Sequence, residues 1–169
     1  MEKAIGEFYR GEKTQGLVML AFALLCLLLG WLLFVKWEGE VYSGAAVPCI
    51  AFSLLHFVLG AGGAMASHRN RPLTQWNHNP VTWTTDEQAR LHHQKNLLTK
   101  YRTASSATFL LGGMFTIAGA FFHLGDYMLG SGVALCLLSG ITLSFLLVAA
   151  FRLDFFLHEL NVYERDRRE

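Results

Sequence analysis

The residues best suited to chemistry in this chain are its seven histidines: His56, His68, His78, His92, His93, His123 and His158. Imidazole can ligate haem iron or a structural metal, or carry a proton near neutral pH. A haem held by two histidines within a membrane needs both at one depth on facing helices. Only His56 and His123 fall within long apolar stretches. At the rise of an α-helix they differ in depth by roughly 20 Å. The other five lie in polar segments. His92 and His93 are adjacent, so they point about 100° apart and do not share an ion as an i,i+4 pair does. The pattern therefore predicts no haem, no metal site and no other cofactor.

His56 is the one strongly ionisable side chain deep within an apolar stretch, and such a residue raises a functional question. Two readings stay open. It is a neutral histidine bonded to Ser53, to a neighbouring backbone carbonyl or to another helix. Alternatively it is the intramembrane polar site of a small transporter or channel subunit. Nothing else offers catalysis. Ser105 and Ser106 lack a His/Asp constellation, and no glycine-rich phosphate loop follows a strand. Cys26, Cys49 and Cys136 all sit in apolar stretches and form neither a disulfide framework nor a metal spacing. The expectation is a protein without enzymatic activity and without catalytic residues. A net charge of +1 gives no electrostatic footprint for nucleic acid.

The elements that position these residues follow from where charge is missing. The chain is 53% hydrophobic and 16% charged, against about 25% charged in soluble domains. The deficit is concentrated in four stretches at about 17–35, 41–66, 104–124 and 127–151. Each is long enough to cross a bilayer as a helix, and backbone polar groups in lipid must be satisfied internally. The runs are continuous rather than alternating, which rules out a membrane β-barrel. The first stretch is too long for a signal-peptide core and is followed by Lys36-Trp37-Glu38-Gly39-Glu40 rather than a cleavage site. The fold expected is all-α: a single membrane domain over 1–169, a four-helix transmembrane bundle of two hairpins. A cytoplasmic segment at 67–103 would join the hairpins, and a cytoplasmic tail would follow at 152–169.

Of the 14 lysines and arginines, Lys36 alone lies in the short hairpin loops. The positive-inside rule then places both chain ends in the cytoplasm of a bacterium and the chain in its inner membrane. In the central segment, 67–83 reads as irregular, with Trp76 and Trp83 at the headgroup level. A helix then begins with two overlapping capping boxes, Thr84 with Glu87 and Thr85 with Gln88. Asp86 and Arg90 are spaced for an ion pair. No breaker follows, so this helix should run into the third span. The fourth span should continue past Phe151, so that two helices project from the membrane.

Helices in lipid associate through small residues. Gly60, Gly62 and Ala64 in the second span, and Ala104, Thr108, Gly112, Thr116 and Gly119 in the third, form such stripes. Gly140 and Ser144 are their counterparts in the fourth. They serve either as internal seams or as docking faces for the helix of a partner. The two hairpin loops, Glu40-Val41-Tyr42-Ser43-Gly44 and Asp126-Tyr127-Met128-Leu129-Gly130, have similar compositions.

The opening run Glu7-Phe8-Tyr9-Arg10-Gly11-Glu12-Lys13-Thr14-Gln15-Gly16 and the run Ser43-Gly44-Ala45-Ala46-Val47-Pro48 resemble small four-span bacterial inner-membrane proteins. Proteins of this kind include immunity proteins against membrane-acting toxins delivered by type VI secretion. The resemblance implies a partner within the bilayer, a toxin or a complex subunit, and transfers no catalytic residue. The expected partners are thus the lipid bilayer and another membrane protein, with a homo-oligomer also open.

Overall fold

In the computed structural model the chain is described over residues 1–69, 76–122 and 124–168, with side chains at 66–69 and 168 left aside. It is a multi-pass all-α membrane protein. Four long helices carry the fold: α1 (Glu2–Val35), α2 (Glu40–Arg69), α3 (Pro80–Phe121) and α4 (Asp126–Arg168). Each contains an apolar stretch long enough to cross a membrane. His123, and Arg71 and Pro72 of the central segment, lie outside the described residues.

Both hairpins turn by the same device. Gly39 has φ +137° and Gly125 has φ +114°, backbone conformations open to glycine but not to most L-residues. Each glycine carbonyl accepts the first bond of the following helix. Each helix then opens on an acidic residue, Glu40 or Asp126, which complements the positive end of the helix dipole.

The helices extend beyond the apolar stretches at one end of the bundle. This holds for α3 and α4, as the absence of breakers implies, and also for α1, which is helical from Glu2. The three extensions bury Ile5, Phe8, Leu91, Leu153, Phe156 and Leu160 in a core outside the spans. Phe8 stacks on Phe156 at 4.3 Å. Ile5 and Leu160, close to the two chain ends, are both fully buried there, so the ends share one side of the bundle.

Three local expectations are corrected. Trp76 and Trp83, expected on an outward-facing surface, do not face outward. They are buried in this outer core, edge to face with each other at 5.3 Å, and Trp76 also meets Tyr163 at 5.0 Å. α3 starts at Pro80, a turn before the expected capping boxes. Asn79 caps it by accepting from the Thr82 amide, with Pro80 in the first turn. Asn and Pro are strong residues for those two positions, and the hydroxyls of Thr84 and Thr85 instead donate to the Pro80 and Val81 carbonyls. Arg90 pairs with Glu87 rather than with Asp86.

Packing is uneven. α1 lies along α2, α3 lies along α4, and α4 also packs on α2 and more lightly on α1. Among the described residues the backbone of α3 approaches that of α4 alone. The α3–α4 seam is built on small residues. A Cβ at Gly112 would lie 2.8 Å from the Cys136 nitrogen, and one at Gly119 would lie 2.7 Å from the Leu129 nitrogen. Ser105 rather than Ala104 completes the stripe, since Ser105 is buried and Ala104 exposed. Leucine at Gly112 or Gly119 should therefore pry α3 from α4 and cost about 1–3 kcal/mol. Thermal melting in detergent should fall for both variants, and unchanged melting would mean that the seam can yield.

Candidate functional site

The sequence singles out His56, and the bundle closes around it. Its side chain is fully buried, with the rings of Phe22 and Phe52 at 4.9 and 6.0 Å and Phe145 at 6.3 Å. Nδ1 lies 2.8 Å from the Phe52 carbonyl. A carbonyl can only accept, so Nδ1 carries a proton and donates. Nε2 lies 3.1 Å from Thr142 Oγ1 on α4. The Thr142 hydroxyl has one proton and two acceptors in reach, Nε2 and the Leu138 carbonyl at 2.7 Å. A neutral imidazole thus has a partner in reach of each nitrogen, a backbone carbonyl for Nδ1 and, for Nε2, a hydroxyl on another helix whose single proton is shared with the Leu138 carbonyl, rather than Ser53. Replacing His56 with leucine removes about one net hydrogen bond, worth about 1 kcal/mol. Both Phe52 and Thr142 keep other partners, so His56→Leu should melt within a few degrees of the parent. A collapse of melting would contradict this.

A second polar constellation carries no motif that marks it as a site in the sequence. It lies on the face of α1 that the opening run presents inward. Tyr9, Glu12 and Gln15 are three residues apart and follow one another along that face. Tyr9 donates to Glu87 Oε1 at 2.9 Å. Glu12 Oε1 accepts from Gln94 Nε2 at 3.0 Å. Gln15 donates to the Phe145 carbonyl at 2.9 Å and accepts from Arg152. One helix is thereby clamped to α3 twice and to α4 twice. Arg90 closes the first clamp, donating through Nε to both Glu87 oxygens at 3.1 and 3.0 Å and lying 5.4 Å from the Tyr9 ring centre. Burial, aided by the Glu87 carboxylate and opposed by Arg90, pushes the Tyr9 phenol well above its usual range, so it stays a donor. Burial alone would lower Arg90, but the hydrogen bond to Glu87 and the charges of Glu87, Tyr9 and Glu12 together outweigh it and raise it.

No family model, curated protein or solved structure matches the chain.

The small residues divide by what they face. Gly60 is internal: a Cβ there would lie 2.8 Å from the Gly16 carbonyl oxygen and 2.9 Å from the Leu20 nitrogen. The Ala64 nitrogen lies 2.7 Å from where a Cβ on Gly16 would stand. Gly112 and Gly119 are internal to the α3–α4 seam. Gly62 is exposed, with open space where a side chain would project. Gly113 is likewise open. It stands seven residues from Ser106 and from Ala120, both exposed, on a stripe one residue along from the seam. Among the described residues no three His, Cys, Asp or Glu side chains converge as they would around a metal ion.

Proposed function

We propose that the protein acts without enzymatic chemistry by binding another membrane-embedded protein, and that it is an immunity protein neutralising a pore-forming or depolarising toxin. The observation supporting this reading is the state of α3. Only 6% of its apolar stretch is buried within the protein, against 44% for α2 and 22% for α1 and α4. Its free side carries Gly113 between Leu110 and Ile117, which are 67% and 54% exposed. Helix association in lipid proceeds through such small-residue openings. Turns of a few residues at the far end leave little for a soluble ligand to hold, and the opening run contributes the resemblance to immunity proteins.

The membrane in this reading is a bacterial inner membrane with both ends cytoplasmic. The supporting observation is that lysine and arginine crowd the extended end, while the hairpin turns hold only Lys36. A reporter active only in the periplasm should be silent when fused after Glu169 and active when placed at Gly39. The reverse pattern would overturn the orientation.

Function is tested by growth of cells that co-express this protein with a membrane-targeting toxin, taken from those encoded in the same genome. The parent chain and His56→Leu should both protect. Gly113→Leu should be abundant in the membrane fraction and fail to protect. Loss of protection in His56→Leu with abundance intact would favour instead a small transporter or channel subunit working through that histidine.

A further inference from the structure

At the level where the four apolar stretches meet their polar extensions, the bundle does not close. The backbone of α3 stands away from those of α1 and α2, bridged to α1 by the Glu12–Gln94 hydrogen bond, and a cavity of about 390 Å³ remains between the four helices, within the range of small-ligand sites. Its walls are apolar, with Met19, Val58, Leu59, Leu97 and Leu146 among them. Its mouth faces sideways, where Val58 is 68% exposed and Tyr101 is 40% exposed.

One end of the cavity is polar. Glu12, Gln94 and Arg152 line it, and Glu12 Oε2, Gln94 Oε1 and Arg152 Nε are buried there with no hydrogen-bond partner. Buried polar atoms are rarely left so, and each such case points to something that completes it. What is missing has a definite chemistry: donors for a carboxylate oxygen and an amide oxygen, and an acceptor for a guanidinium N–H. It is needed where the apolar stretches give way to polar extensions, beside an apolar wall.

We infer that this cavity holds the head group of a phospholipid bearing a primary ammonium, with the start of one acyl chain along the apolar wall. The ammonium donates to Glu12 Oε2 and Gln94 Oε1, and the phosphate accepts from Arg152 Nε. The charges are opposite in sign at both charged contacts, the ammonium on Glu12 and the phosphate on Arg152. A choline head group keeps the cation but has no N–H to donate, and a phosphoglycerol head group has no cation. The inference does not depend on what docks against α3.

Native mass spectrometry of the full chain in detergent tests it, with ethanolamine, choline and glycerol phospholipids of matched chains. The ethanolamine lipid should be retained about tenfold more than the choline lipid, the difference expected for one charge-assisted hydrogen bond. Glu12→Gln should erase most of that preference. Gly62→Leu, which projects a side chain into the open mouth without touching a seam, should reduce retention at unchanged melting temperature. Equal retention of the three lipids would overturn the inference, as would a preference that survives both variants; the polar end is then filled by water. Displacement by free phosphoethanolamine at equal concentration would overturn the lipid as the source of the head group.

Discussion

Leucine at Gly60 should leave almost no monodisperse protein in detergent, while leucine at Gly62, two residues away, should leave its yield and melting unchanged. The contrast follows from what each position meets. A Cβ at Gly60 would stand 2.8 and 2.9 Å from backbone atoms of Gly16 and Leu20, and one at Gly16 would stand 2.7 and 2.9 Å from backbone atoms of Ala64 and Gly60. The two glycines face each other across the α1–α2 seam, and neither helix backbone can rotate out of the way. Overpacking of an ordinary core costs about 1–3 kcal/mol. Here relief requires separating two helices along their length, which places the effect at or beyond the top of that range. Gly62 has no atom within 4 Å of its would-be Cβ. Fluorescence-detected size exclusion and thermal melting of the two variants give the comparison, and similar profiles would contradict the seam.

Glu87→Leu should be the most damaging change outside the spans. The Glu87 side chain is 6% exposed and the Arg90 side chain beside it 26%. Removing the carboxylate strands a largely buried guanidinium and deprives the Tyr9 hydroxyl of its acceptor. Breaking a buried pair from one side costs about 3–5 kcal/mol. Replacing both members by apolar residues of similar volume is far milder. Melting of Glu87→Leu, Arg90→Met and the double variant forms a cycle whose coupling should be large. If the double variant melts no higher than Glu87→Leu alone, the damage does not come from a stranded charge.

The spans were legible because charge is absent from them, and the continuity of α3 and α4 because no proline or glycine interrupts 86–106 or 151–160. The helical start of α1 was not. Gly6, Gly11 and Gly16 punctuate a charged run, and that masked an amphipathic face on which Ile5 and Phe8 adjoin Tyr9, Glu12 and Gln15. The signal was present in the three-residue spacing of those polar side chains. The burial of Trp76 and Trp83 was not legible, because tryptophan near a span end reads as an interface residue, and only their packing on each other and on Tyr163 of α4 covers them. The roles of Gly60 and Gly62 could not be separated in sequence: in a Gly-Ala-Gly-Gly run, the residue that faces α1 depends on helix register. The partner of His56 on α4 is 86 residues distant, beyond any local pattern.

The likeness of the two hairpin loops has a physical counterpart. Gly44 lies against Tyr127, and Gly130 lies against Val41. In each case the residue three before one glycine packs on the other glycine, so the two loops meet reciprocally. Close packing of α2 on α4 requires small residues at both positions, which accounts for a glycine at the same place in each loop.

The central claim, that a partner helix docks on the free side of α3, is tested most directly by site-specific photocrosslinking in intact membranes containing the co-expressed toxin. A photoreactive residue at Leu110 or Ile117 should form an adduct of the combined mass with the toxin, and one at Leu28 on the outer face of α1, itself 61% exposed, should not. Adducts at Leu28 equal to those on α3, adducts only with a second copy of this chain, or no adduct at all would contradict the account.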